Sequence, residues 1–333
     1  VVGPSGTGKG TIIVDCLESL KGVEIMGDLT PHSFISGFKP GGKEHGILQR
    51  INNPFLVFKD FTTFVSKRQD DRAAIASQMR EIYDGVFTYT TGATGTMRYD
   101  GRCGCIAVGT PEVERAWALH RDLGERFLNL RWGRSDGLQM ARHAKNQEAR
   151  NKLIKQTSQD LVRRFINGAA IPTPNSVVGA AEERMVHMAE LVARLRANIK
   201  RNPYGRAIEY IDPPEAPTRI IQAMSQMARV HAAMFRQEVQ RMNIDAAYRI
   251  AIDSIPTYRW QVLQQYINGG LDSTLSFADL RQSLYTIPRT TLMHVLEDME
   301  ACGAITIKDT EDQRRVQLPS EFQMLVKEGG LKK

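Results

Sequence analysis

Apolar residues recur along this chain in more than one rhythm, and the changes of rhythm divide it. Over the first 130 residues short apolar runs alternate with helical stretches, the pattern of a parallel sheet with crossover helices. Leu56-Val57-Phe58 and Cys105-Ile106-Ala107-Val108 are the clearest buried strands, because each is short and continuously apolar. Between them, Asp71 to Tyr83 spaces Ile75, Met79 and Ile82 along one helical stripe. Val86-Phe87-Thr88-Tyr89 and Met97-Arg98-Tyr99 then flank Gly92-Ala93-Thr94-Gly95, which predicts a hairpin. From about 136 to 250 the period is helical, broken near 168–176 by Gly, Pro and Asn and near 202–217 by Asn202-Pro203-Tyr204-Gly205 and a Pro-rich stretch.

The last segment changes again. Tyr258–Ile267, Phe277–Tyr285 and Arg289–Cys302 read as three helices, the third opening behind Pro288 and stopping at Gly303. Ala304-Ile305-Thr306-Ile307 and Arg315-Val316-Gln317-Leu318 flank a polar turn, and three helices followed by a hairpin form the winged-helix layout. The expected organisation is an α/β core over 1–135, a helical lid or insert over 136–253, a winged helix over 254–320 and a tail over 321–333.

The 333 residues are 42% hydrophobic and 24% charged, an ordinary globular balance that excludes disordered, collagenous and rod-like chains. No apolar run reaches the ~18 residues that cross a bilayer, and no basic-then-apolar leader opens the chain, so the expected setting is cytoplasmic, without a membrane partner. Cys16, Cys103, Cys105 and Cys302 are too scattered for a disulfide framework or a zinc site and are expected as reduced thiols. The start at Val1-Val2-Gly3, without a Met and with too few residues for a strand, suggests a fragment. Of the net charge of +7, the excess lies in 121–206, where 17 basic residues meet 8 acidic ones. That segment reads either as a solvated helical face or as a surface that tracks phosphates by counterion release.

Gly3-Pro4-Ser5-Gly6-Thr7-Gly8-Lys9 carries the strongest chemistry. The spacing G-x-x-x-x-G-K lets backbone N–H groups wrap a β-phosphate, sends Lys9 to the β- and γ-phosphates, and opens a helix whose N-terminus favours an anion. The expected ligand is ATP with Mg²⁺. Gly10 stands where a hydroxyl for the metal belongs, and the hydroxyl follows at Thr11. The apolar run Phe55–Phe58 ends at Lys59-Asp60, making Asp60 the carboxylate expected on the metal. The next residue is Phe61 rather than an acid that could activate water, so the catalytic base is unassigned, with Glu81 and Glu44 as substitutes.

This order of elements resembles the AAA+ ATPases, and among them the minichromosome-maintenance type of helicase module and little-characterised ATP-binding proteins of phages and mobile elements. Asp71-Arg72-Ala73-Ala74-Ile75 through Met79 resembles the helix after the acidic strand, and the hairpin at 86–99 falls where that group inserts a pre-sensor hairpin. Cys105 to Thr110 resembles the sensor-1 strand with Thr110 in place of the usual Asn. Leu123-Gly124-Glu125-Arg126-Phe127 resembles the arginine-finger segment, and Ala216-Pro217-Thr218-Arg219 with its following helix resembles sensor 2. The resemblance implies that Arg126 reaches a neighbouring subunit's γ-phosphate, that Arg219 is a second γ-phosphate arginine, and that the chain works as a homo-oligomer, a ring, on DNA. Charge spreading over the γ-oxygens gives both guanidinium groups a physical role.

The hairpin and an insert at 28–48 would then face a channel, with Lys39, Lys43 and Arg98 toward DNA. In the winged helix, Arg289, Thr290 and Thr291 at the start of the third helix and Lys308, Arg314 and Arg315 in the wing are the candidates for phosphates or bases, although Glu297, Asp298 and Glu300 make that helix's end acidic. A DNA-acting ATPase, a replication helicase or initiator, is the leading expectation. The alternatives are a nucleotide-switched DNA-binding regulator or loader and, on the likeness of Gly8-Lys9-Gly10-Thr11 to adenylate-kinase loops, a small-molecule phosphotransferase.

Overall fold

A computed structural model describes residues 1–36, 46–91, 95–117, 126–133, 136–147, 151–168, 180–202, 206–235, 239–309 and 314–332. The chain forms two compact units, one of Val1–Phe127 with Arg131–Gly168 and the other of Leu128–Leu130 with Ala169–Lys333. These bounds differ from those expected, since 136–168 groups with the first unit and 180–253 with the C-terminal elements.

The first unit opens with the Gly3–Lys9 loop and a wide-turn π-helix, Gly10–Asp15. It continues through β1 (Val23–Met26), α1 (Ile47–Arg50), β2 (Phe55–Phe58), α2 (Thr62–Val65), α3 (Gln69–Tyr83), β3 (Val86–Thr91), β4 (Gly95–Asp100), β5 (Gly104–Ala107), α4 (Glu112–Trp117), α5 (Gly137–Gln147) and α6 (Asn151–Gly168). Strands β1, β2 and β5 form a parallel sheet in that order, with Val23 opposite Phe55 and Phe55 opposite Gly104. Val2 extends the order beyond β5 by single parallel bridges to Gly109 and Arg131. The parallel α/β reading of this region therefore holds, while β1 was not foreseen.

The β2 sequence Phe-Leu-Val-Phe is buried at Leu56, Val57 and Phe58 because helices or loops cover both faces of a parallel strand. α3 starts with Asp70 and Asp71 in its first turn, where carboxylates suit the helix dipole, and buries Ile75, Ala76, Met79 and Ile82. That stripe meets Phe58, Phe61 and Phe64 beneath the sheet and Phe87 and Tyr99 from the hairpin. The β3–β4 hairpin pairs Val86 with Asp100 and Thr90 with Thr96, so Phe87 and Tyr99 turn inward and Thr88, Thr90, Thr96 and Arg98 outward. Its expected turn, 92–94, lies outside the described residues.

The second unit runs through α7 (Ala180–Arg196), β6 (Ile199–Arg201), β7 (Ile208–Ile211), α8 (Thr218–Met234), α9 (Arg241–Asp253), α10 (Thr257–Gly269), β8 (Thr274–Ser276), α11 (Phe277–Ser283), α12 (Arg289–Ala301), β9 (Thr306–Asp309), β10 (Arg314–Gln317) and α13 (Ser320–Glu328). One continuous core joins Met185, Leu191 and Leu195 of α7, Met224 of α8, Leu263 and Tyr266 of α10, Leu292 and Leu296 of α12, and Phe322 and Val326 of α13. The three helices and hairpin expected over 258–318 form close to their predicted ends, but β8 adds a third strand, giving the antiparallel order β8-β10-β9. A short antiparallel pair, β6–β7, stands at the break expected near 202–217, where no strands were expected. The expected tail is instead α13, which buries Phe322, Leu325 and Val326.

The acidic end of α12 has a structural explanation. Arg201 donates to Asp298 Oδ1 from Nη2 at 2.7 Å, to Glu297 Oε2 from Nη1 at 2.9 Å and to the His294 carbonyl at 2.9 Å. The buried Arg259 of α10 approaches the same Asp298 at 3.5 Å and donates to the Leu195 and Ala197 carbonyls. These acids thus join α12 to the β6–β7 pair and the end of α7.

Candidate functional site

The Gly3–Lys9 loop lies beyond the C-terminal ends of the parallel strands, the side where open α/β sheets place ligands. Gly3 is held by its amide donating to the Gly109 carbonyl at 3.2 Å. Gly6 and Gly8 adopt φ of 74° and 79°, left-handed conformations that glycine enters without steric penalty. Pro4, Ser5, Gly6 and Gly10 are exposed and Thr7 is half-buried, its hydroxyl donating to the Pro4 carbonyl at 2.8 Å. The helix that follows is π rather than α and only six residues long, so the loop's own amides carry the anion argument more than a helix dipole does. Thr11 is exposed in its first turn.

Lys9 is 7% exposed, and its ammonium donates to the carbonyls of Gly3 at 2.7 Å and Pro4 at 2.5 Å. Burial pulls its pKa below the usual lysine value, and the negative charge of Asp60 pulls it back up. Asp60 caps the turn after β2, its Oδ1 accepting from the Thr62 amide at 2.9 Å and its carbonyl accepting from the Thr63 hydroxyl at 2.9 Å. The Thr62 hydroxyl sits 3.3 Å from that of Thr110, three residues past the end of β5. Phe61 is fully buried, stacked on Phe64 at a ring separation of 4.7 Å and tilted against Phe127. The position after Asp60 is therefore committed to packing.

Two anchors went unread in the sequence. Trp132 donates from its backbone to the Val2 carbonyl at 2.7 Å and from its indole Nε1 to the Thr7 carbonyl at 3.0 Å. A side chain at Gly3 would meet the Trp132 carbonyl oxygen at 2.5 Å. Asp28, just past β1, pairs with Lys67 at 2.8 Å, and that bond holds its carboxyl below the usual range. The apolar alternation Leu128-Asn129-Leu130-Arg131-Trp132 was the available signal for an extended segment, although nothing local indicates its neighbours.

Arg126 is only 11% exposed and belongs to its own unit. It donates to Asp84 Oδ2 from Nη2 at 2.7 Å and lies over the Tyr83 ring at 5.7 Å. The rest of its expected segment, 123–125, lies outside the described residues, as do Lys39, Lys43 and Glu44. Arg219 is exposed in the first turn of α8, in the second unit. Glu81 is exposed on α3. A cavity of about 320 Å³ lies under the β3–β4 hairpin, lined by Gln49, Met97, Arg98 and Tyr99, apart from the loop residues.

Among the nucleic-acid candidates, Arg98 pairs with Asp100 at 3.1 Å and Arg314 with Asp309 at 2.8 Å. Arg289 lies 6.0 Å from the Phe277 ring centroid, and Thr290 is exposed beside it. Arg315 is exposed and stands opposite Lys308 in register. Much of the basic excess of 121–206 is internally paired. Lys155 binds Asp15 and Glu18, Arg163 binds Asp160, Arg194 binds Glu190 and Glu321, and Arg201 binds Glu297 and Asp298. Arg142, Lys145, Lys152 and Arg164 remain exposed on α5 and α6.

No known protein-family model matches the chain, and no curated protein is similar to it. Among the described residues no helix is long and apolar enough to cross a membrane, no cluster of His, Cys, Asp and Glu is arranged to hold a metal by itself, and the four cysteines are free thiols.

Proposed function

We propose that this chain is a P-loop ATPase of the AAA+ kind, carrying a winged helix, that binds ATP with Mg²⁺ at the Gly3–Lys9 loop and couples its hydrolysis to work on DNA. The feature that supports the nucleotide reading most directly is the loop itself, with left-handed Gly6 and Gly8 and a buried Lys9, at the C-terminal edge of a parallel sheet. The donor set fits the ligand: left-handed Gly6 and Gly8 free backbone amides for phosphate oxygens, and Asp60 and the Thr11 hydroxyl suit a hard cation. Magnesium, when bound, would neutralise charge that builds on the phosphate oxygens.

In this reading Lys9 exchanges its loop carbonyls for the β- and γ-phosphates. Thr62 holds the Asp60 carboxylate through its amide, and Thr110 lies beside Thr62 as the polar group of the neighbouring strand. Arg126 serves a neighbouring protomer of a ring only after exchanging Asp84 for phosphate, and Arg219 is the second γ-phosphate arginine that the resemblance implies. The exposed Arg142, Lys145, Lys152 and Arg164 on α5 and α6, with Arg315 and Arg289, are the cations for the DNA backbone.

The buried Phe61 favours a second reading, a DNA-binding regulator or loader that ATP switches with slow turnover, because no base follows Asp60. ATP hydrolysis with and without single- and double-stranded DNA, beside Lys9→Ala and Arg126→Ala, separates the two. The motor reading expects DNA-stimulated turnover, lost in each variant and restored when the two are mixed. Tight ATP binding with turnover indifferent to DNA supports the switch, and an absence of ATP binding rejects both.

A further inference from the structure

The Trp132 side chain reaches the Gly3–Lys9 loop from outside it. Its backbone N–H holds the Val2 carbonyl and its indole N–H holds the Thr7 carbonyl, at 2.7 and 3.0 Å, so one residue binds the strand before the loop and the far arm of the loop. Gly3 lacks the Cβ that would collide with the Trp132 carbonyl, which is what lets the two segments approach. Arg131, beside it, bridges Val2 and pairs with Glu114 at 2.7 Å, so the Trp132 backbone is itself anchored.

The consequence follows from peptide geometry. In a trans peptide the carbonyl and the next N–H lie in one plane and point in opposite directions, and no described peptide here is cis. A Thr7 carbonyl fixed toward Trp132 therefore turns the Gly8 N–H away from Trp132. Gly8, at φ 79°, has the freedom to follow either orientation, so an external bond is needed to select one.

We infer that Trp132 is a positioning residue of the nucleotide loop, whose indole N–H fixes the Thr7–Gly8 peptide so that the Gly8 N–H is presented to a phosphate group. The inference rests on the nucleotide reading above.

The test replaces the indole N–H by sulfur, through β-(3-benzothienyl)alanine at position 132, with Trp132→Phe as a second donor-free variant. Calorimetric titration with Mg·ATP and the melting temperature are read for each. The expected result is a five- to tenfold weaker Kd for Mg·ATP in both variants, the increment of one lost hydrogen bond, with the isostere melting as the parent does. An isostere that binds Mg·ATP like the parent overturns the inference and leaves Trp132 as packing, with the nucleotide reading intact. A parent chain that fails to bind Mg·ATP overturns both.

Discussion

Gly3 carries the sharpest steric constraint at the loop, because its missing Cβ faces a backbone oxygen, which cannot swing aside as a flexible side chain would. Gly10, one residue past Lys9, meets nothing within 4 Å and serves as the contrast. Gly3→Ala is expected to weaken Mg·ATP binding at least tenfold and to lower the stability of the first unit by about 2 kcal/mol, while Gly10→Ala leaves both near the parent values. Binding isotherms and urea unfolding of the two variants check this, and equal effects would remove Trp132 contact as the reason for Gly3. Lys9 shows the same dependence on surroundings. Its place after Gly8 is a matter of sequence, but its burial and its bonds to the Gly3 and Pro4 carbonyls depend on how the loop folds back over it.

At the scale of elements, local chemistry set the ends of the C-terminal helices. Ser276 accepts from the Asp279 amide while Asp279 accepts from the Ser276 amide, a reciprocal cap at the start of α11. α12 stops where Gly303 takes φ 73°, with the Ala304 amide donating to Met299 and the Gly303 amide to Glu300. Both ends were legible because the residues that make them lie within six positions of one another. The β6–β7 pair was not, since its strands are short and Arg201 ties it to α12 through partners nearly a hundred residues away. Arg201→Ala leaves Glu297 and Asp298 without that guanidinium in a half-buried place and is expected to cost about 2–3 kcal/mol in the second unit. Arg201→Lys should recover less than half, because a single ammonium cannot reproduce the fork that engages both acids. Chemical denaturation of the three proteins measures it, and full recovery by lysine would reduce the cluster to simple charge pairing.

Over the whole molecule, the chain groups by shared core rather than by the order of its rhythms. α13 packs on α7, and Arg194 joins them by binding Glu190 on its own helix and Glu321 on α13. The Arg194 hydrogen bond holds the Glu321 carboxyl below the usual glutamate range. A carboxyl lowered in the folded state contributes stability above its unfolded pKa, about 4.3, and loses it as pH falls through the folded value. Hydrogen exchange in α13 is therefore expected to quicken relative to the rest of the second unit as pH drops from 6 to 3. Glu321→Gln should flatten that dependence, and an unchanged profile would exclude the pair as its source.

Sequence alone determined the parallel α/β character of the first unit, the helix and strand rhythm of 258–318, the glycine loop with Lys9, and the acid at the end of β2. Each depends on hydrophobic period, turn residues or caps, interactions that span a few positions and survive in any context that buries the apolar face. Tertiary structure decided that Trp132 holds the Thr7 carbonyl, that Arg126 is engaged by Asp84, and that the acids of α12 are held by Arg201. It also turned an expected tail into a core helix and neutralised much of a basic segment. These contacts join residues tens to more than a hundred positions apart, and pairings at such separations are chosen by the geometry of the assembled core, which no local pattern encodes.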